Sequence, residues 1–116
     1  MKKLVFVSLI LILAVGFVYA GGSNPEDQFF SAVRAGDTDF VEDYLDREVV
    51  DVDVQDENGM TALMIAVNQE DLQMVRTLIP YRPDPDITDN DGRTVMDIAK
   101  ERGNMAIQSA LRGAGF

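Results

Sequence analysis

Two stretches decide the fold: Asp56-Glu57-Asn58-Gly59-Met60-Thr61-Ala62-Leu63-Met64-Ile65-Ala66 and Asp89-Asn90-Asp91-Gly92-Arg93-Thr94-Val95-Met96-Asp97-Ile98-Ala99. Aligned, they share Asp, Gly, Thr and Ala at a spacing of 33. Upstream, Asp51-Val52-Asp53-Val54 precedes the first stretch as Asp84-Pro85-Asp86-Ile87 precedes the second. A partial third copy comes earlier, where Ala32-Val33-Arg34-Ala35-Gly36-Asp37 matches Ala66-Val67-Asn68-Gln69-Glu70-Asp71 at a spacing of 34. A period of this length marks a stack of small units that bury their apolar faces against one another.

Each recurring residue has its own physical reason. Gly59 and Gly92 stand where a tight turn requires positive φ. Asp56 and Asp89 can accept hydrogen bonds from the backbone of that turn. Thr61 and Thr94 can cap the helix that follows. Ala66 and Ala99 let neighbouring helices approach. Asp37, Asp71 and Asn104 can cap a second, antiparallel helix in each copy. Near the start, Asn24, Pro25, Glu26 and Asp27 form a cap, a first-turn proline and two acids suited to a helix N-terminus.

The apolar spacing predicts helices over about 26–34, 38–46, 61–69, 72–79, 94–102 and 105–112. The stretches 47–59 and 80–92 alternate Val/Asp or Pro/Asp and end at the glycine turns, which predicts extended, β-hairpin-like fingers. The expected core is Phe30, Val33, Val41, Leu45, Leu63, Ile65, Ala66, Leu72, Val75, Leu78, Ile98, Ala99 and Leu111. Phe29 and Tyr44 are expected to cover the N-terminal end.

A turn of Asp-x-x-Gly-x-Thr followed by a helix pair, repeated every 33 residues, resembles the ankyrin repeat, and the resemblance covers roughly 26–112. It implies an all-α ankyrin-repeat solenoid of about three helix–turn–helix pairs (26–46, 61–79, 94–112) within a domain spanning 26–116. The sequence departs from the family pattern at several points. Ala62 and Val95 replace the usual Pro after the Thr. Met64 and Asp97 replace the usual His. Glu70 stands where the other copies have Gly36 and Gly103. The glycine that usually follows the second helix is missing, and Pro80, Pro83 and Pro85 stiffen the connection.

Ahead of the repeats, Met1-Lys2-Lys3 is a short basic start, and Leu4 to Tyr19 is an uncharged run of 16 residues. That is short of the ~20 residues a bilayer span needs. With Val18-Tyr19-Ala20 as a cleavage site and Gly21-Gly22-Ser23 beyond it, the stretch reads as a signal peptide over 1–20 and a linker over 21–25. Cleavage after Ala20 would deliver the chain to the periplasm; without cleavage the same helix would anchor it to the envelope. The mature chain would lose Lys2 and Lys3, leaving eight basic residues against twenty acidic ones, a net charge of −12. This balance argues against nucleic acid and anionic membrane as partners, and favours solubility and steering toward a basic protein partner; the chain is expected to be a monomer. There is no cysteine, so a small exported domain must here rely on packing alone.

The residue inventory is poor in chemistry. There is no His, Cys or Trp, which excludes a Ser–His–Asp triad and a His/Cys zinc site. No glycine-rich phosphate loop is present. The acids Asp51, Asp53, Asp56, Glu57, Asp84, Asp86, Asp89 and Asp91 suggest calcium, but an EF-hand loop around Gly92 would need acids at Ile87 and Ile98. Pairs of carboxylates suited to glycoside hydrolysis arise by chance among twenty acids. The sequence therefore predicts no catalytic, cofactor or metal residues.

The ankyrin resemblance implies a partner protein lying across the finger tips and the exposed side of each first helix. The matching residues are Glu57, Asn58, Met60, Asn68 and Gln69 in the middle copy and Asn90, Asp91, Arg93, Glu101 and Arg102 in the last. Met60 is expected to be exposed, with Arg93 beside it as a contact centre. The resemblance also suggests, as an alternative, an immunity or stabilising factor for a secreted enzyme such as a catalase.

Overall fold

The computed structural model describes residues 24–116; the expected signal peptide and residues 21–23 of the linker lie outside them. Among the described residues six α-helices follow one another: α1 Pro25–Ala35, α2 Thr38–Asp46, α3 Ala62–Asn68, α4 Leu72–Leu78, α5 Val95–Arg102 and α6 Met105–Gly113. A single 3-10 turn, Ile79–Tyr81, extends α4.

Each of these six α-helices starts on a side-chain cap, and all six caps are the residues the sequence nominates. Asn24, Asp37, Thr61, Asp71, Thr94 and Asn104 accept hydrogen bonds from the N–H groups of Asp27, Phe40, Met64, Met74, Asp97 and Ile107. These bonds satisfy donors that a helix start otherwise leaves open. At the last repeat the cap is reciprocal, because Asp97 Oδ2 accepts from the Thr94 N–H at 3.0 Å. The replacement of the family's usual His by Asp97 thus completes a capping box.

The helices lie in two layers. α1, α3 and α5 pack in one, α2, α4 and α6 in the other, and each pair packs across the layers. α3 has neighbours on both sides, so Ala62 through Val67 are all buried. Twelve of the thirteen expected core residues are buried and Leu72 is half-buried. Phe29, Met64, Met74, Val95 and Ile107 join them. Phe29 is not a cover for the N-terminal end; it is fully buried and meets Phe30 edge-on at 5.6 Å. Tyr44 does lie on that end, half-buried, stacked on Phe40 at 4.3 Å and donating a hydrogen bond to Gln28.

The connections differ from the expected hairpin-like fingers, since no strand occurs among the described residues. Hairpin pairing is confined to the turn itself, where the Asp56 N–H donates to the Met60 carbonyl and the Asp89 N–H to the Arg93 carbonyl, each at 2.9 Å. Further back, the acids take the backbone donors a ladder would use. Asp51 Oδ1 accepts from the Asp53 N–H at 2.8 Å and Asp84 Oδ1 from the Asp86 N–H at 2.9 Å. Such local bonds compete with strand pairing, and Pro83 and Pro85 have no N–H to contribute.

The missing glycines do not change the backbone path. Glu48 (φ 56°), Glu70 (φ 57°) and Arg82 (φ 61°) adopt the left-handed conformation. Glu70 occupies the position of Gly36 and Gly103, which have φ of 76° and 72°. Glu48 and Arg82 are one repeat apart, each just past a second helix.

Candidate binding surface

The finger tips are built around two aspartates. Asp56 Oδ1 accepts from the N–H groups of Asn58 at 2.8 Å and Met60 at 3.0 Å. Asp89 Oδ1 does the same for Asp91 at 2.9 Å and Arg93 at 3.0 Å. Both side chains are nearly inaccessible, 3% and 2% exposed. Each second oxygen meets an arginine at 2.8 Å, Arg34 for Asp56 and Arg93 for Asp89. Burial works to raise the Asp89 pKa, but the backbone N–H and guanidinium of Arg93 and the Asp91 N–H outweigh it and hold the carboxyl below its usual range.

Gly59 is required twice over. Its φ is 76°, and a Cβ there would lie 2.5 Å from Asn90 Oδ1 and 2.8 Å from the Asn90 nitrogen. Gly92 has the same turn conformation with open space around it. The crowding at Gly59 comes from a clamp between repeats. The Asn90 N–H donates to the Asn58 carbonyl at 3.1 Å and the Asn90 side chain to the Glu57 carbonyl at 3.0 Å. Gln55 Nε2 bridges the Gly59 and Thr88 carbonyls at 2.7 and 3.0 Å.

The same logic runs along the first helices. Gln69 Nε2 donates to the Arg34 carbonyl at 3.0 Å, and Arg102 donates to Asn68 Oδ1 from Nε at 3.1 Å and Nη2 at 2.9 Å. Much of the polar surface that the sequence assigns to a partner is therefore also the seam between neighbouring repeats. Nor do the acids of the connections gather into a metal site: among the described residues no group of three or more His, Cys, Asp or Glu could hold an ion. Asp53 instead accepts from the Asp84 N–H at 3.0 Å, tying the two connections together.

Of the ten predicted contact residues, Asn58, Met60, Asn68 and Gln69 line one groove of about 260 Å3, together with Arg34, Asp56 and Ile65. Glu57 opens onto an adjoining groove lined by Glu26, Asp27, Phe30 and Arg34. Asn90, Asp91, Arg93, Glu101 and Arg102 line neither. Two expectations are corrected. Met60 is half-buried against the core and forms part of the groove floor. Arg93 is no free contact centre, because it bonds Asp89 and also Glu101 at 2.8 Å. The groove's cation is Arg34, which the sequence reading passed over. It stands one repeat before Asn68 and two before Arg102, so extending those two positions back along the repeat reaches it.

Layered helix pairs, aspartate-centred turns and inter-repeat clamps define a repeat protein of the ankyrin kind. A family model described as ankyrin repeats in three copies matches residues 29–114, and the chain belongs to that family. Ankyrin repeats are protein–protein interaction modules. Among curated proteins, Ankyrin repeat domain-containing protein 63 of Mus musculus is 36% identical over 95 residues, and that of Homo sapiens 35%. Each match covers 75% of this chain and 24% of the relative, so the chain spans about a quarter of their length. Among solved structures, the ankyrin repeat protein EF0377 has a TM-score of 0.67 at 32% identity, covering 72% of this chain and 45% of that one. A chain from the structure of Bd0816, a predatory endopeptidase from Bdellovibrio bacteriovorus in complex with immunity protein Bd3460, also has a TM-score of 0.67. Its identity is 28%, covering 75% of this chain and 45% of that one.

Proposed function

We propose that this chain is a non-catalytic, monomeric binding module of the bacterial periplasm that docks a partner protein in the groove floored by Met60 and Ile65. The observation that carries this reading is the groove's make-up. An apolar floor is edged by Asn58, Asn68 and Gln69, with Arg34 held at one side by Asp56. An apolar centre with a polar rim and an ordered arginine is the chemistry of a protein contact. Residues 1–20 would act as an export signal cleaved after Ala20. No nucleic acid or membrane partner is included, since a net charge of −12 after cleavage repels both.

The test is capture from periplasmic extract with the wild-type chain and with Met60→Glu. A partner retained by the first and lost by the second supports the reading; equal retention contradicts it. Mass spectrometry of the cellular protein checks the address. A start at Gly21 fits a periplasmic module, and a start at Met1 fits an envelope-anchored scaffold.

A narrower reading is an immunity or stabilising factor for a secreted enzyme. What favours it is the likeness to a chain from an endopeptidase–immunity protein complex. Its test is whether the captured partner is an exported enzyme whose activity or lifetime changes when this chain is added.

A further inference from the structure

The second-helix side carries another groove, which shares no lining residue with the first. It has a volume of about 370 Å3 and is lined by Leu45, Glu48, Val50, Asp51, Val52 and Tyr81. Leu45, Val50, Val52 and Tyr81 supply its apolar surface, while Glu48 and Asp51 are exposed carboxylates at its rim. No cation is paired with either acid among the described residues.

The next repeat has a counterpart groove. Arg82 takes the place of Glu48, both with left-handed backbone, and Pro83, Pro85 and the chain's own Phe116 are among the other walls. Phe116 is half-buried against the core there. In the first groove the ring is that of Tyr81, and the charge at the rim is reversed.

The surrounding field has the same sign as that rim. Residues 24–58 carry twelve acids and two bases, whereas residues 59–116 carry eight and six. Both bases of the first segment are engaged, Arg34 with Asp56 and Arg47 with Asp43. A left-handed backbone costs a side-chain-bearing residue free energy that glycine would avoid. At residue 48 the left-handed residue is a glutamate, exposed where it lines the groove.

The geometry points to this groove as a docking site for a basic segment of a partner protein, with an arginine or lysine head group against Glu48 and Asp51 and its methylene stem along Val50, Val52 and Tyr81. Long cationic side chains bury their stems in this way while the charged head stays at the rim. The site is independent of the Met60 groove, and either can fail without the other.

The experiment is a two-dimensional NMR titration of the full chain with the blocked peptide acetyl-Arg-Val-Arg-amide, and with acetyl-Glu-Val-Glu-amide as control. The basic peptide should shift the amides of Glu48, Val50, Asp51, Val52 and Tyr81 saturably, and the acidic one should not. Glu48→Gln should weaken binding roughly tenfold, the scale of losing one charge-assisted contact. Glu48→Gly retains the backbone conformation without the carboxylate and should weaken binding equally, whatever it does to stability. Met60→Glu should leave the titration unchanged while abolishing partner capture, which separates this site from the proposed main surface. Shifts centred on residues 57–69, shifts spread evenly over the exposed acids, or an undiminished Glu48→Gln titration would each overturn the assignment.

Discussion

Arg34 Nη2, at the end of the first helix, lies 2.8 Å from Asp56 Oδ2, inside a turn that belongs to the next repeat. One repeat on, Asp89 obtains the same contact from Arg93, which occupies the position of Met60. The turn is thus stabilised in two ways. Where the residue after the glycine is arginine, the turn neutralises its own aspartate. Where it is methionine, the preceding helix supplies the cation, and the methionine is left to form an apolar floor. Arg34, Asp56 and Met60 all line the proposed docking groove.

Asp56→Ala should cost about 1–3 kcal/mol, since it leaves the Asn58 and Met60 N–H groups without their acceptor. Arg34→Ala keeps both bonds and should cost less, about 1 kcal/mol or under, because Arg34 is 49% exposed. Urea unfolding measures both. Equal losses would mean that the ion pair, and not the backbone bonds, organises the turn.

Gly59→Ala should destabilise the chain more than Gly92→Ala. Both substitutions force a left-handed residue, at about 1–2 kcal/mol. Only the first also drives a Cβ into Asn90. Thermal melts that placed the two variants together would argue against the Asn90 clamp.

Glycine at Glu48, Glu70 or Arg82 should do the opposite. Relief of the left-handed penalty exceeds the entropy glycine adds to the unfolded chain, and each change should stabilise by about 0.5–1 kcal/mol. Chemical denaturation of the three single variants decides the sign. A loss at all three would show that their side chains contribute more than the strain costs.

Stability should fall at both ends of the pH scale for identifiable reasons. The Asp89 carboxyl is held below its ordinary value of 3.8. Its contribution is complete above that value and disappears as pH falls through the lower folded-state value. Asp89→Asn should therefore flatten the acid limb of a stability–pH curve. At the other end, Tyr81 donates to Asp46 Oδ1 at 2.7 Å, and this bond, with burial, raises the hydroxyl from 10.0 to about 12. Its contribution is complete below pH 10.0 and is lost as pH rises toward about 12. Tyr81→Phe should remove that alkaline limb, and ultraviolet titration of tyrosinate reads the shift directly.

The helices were legible because punctuation and periodicity agreed. Asn24, Asp37, Thr61, Asp71, Thr94 and Asn104 each precede an apolar run, and each caps a helix in the structure. The connections were misread because alternating Val and Asp resembles a strand on paper, whereas the aspartates bind nearby backbone N–H groups instead. The groove lining was legible only in part. Asn58, Met60, Asn68 and Gln69 do share a groove. But a polar side chain at a repeat-spaced position can face a partner or clamp the next repeat, and the sequence is the same for both. Asn90 and Arg102 are clamps. Arg93 holds its own turn. Arg34 was missed because its partner, Asp56, is 22 residues away in the chain.

The most direct measurement of the docking claim is photocrosslinking in intact cells. A photoreactive amino acid replaces Met60 in one strain, Asn68 in a second, and Met105, which is exposed on the last helix, in a third. One and the same protein should crosslink from positions 60 and 68, and none from 105. A partner captured from 105 alone, with 60 and 68 silent, would contradict it.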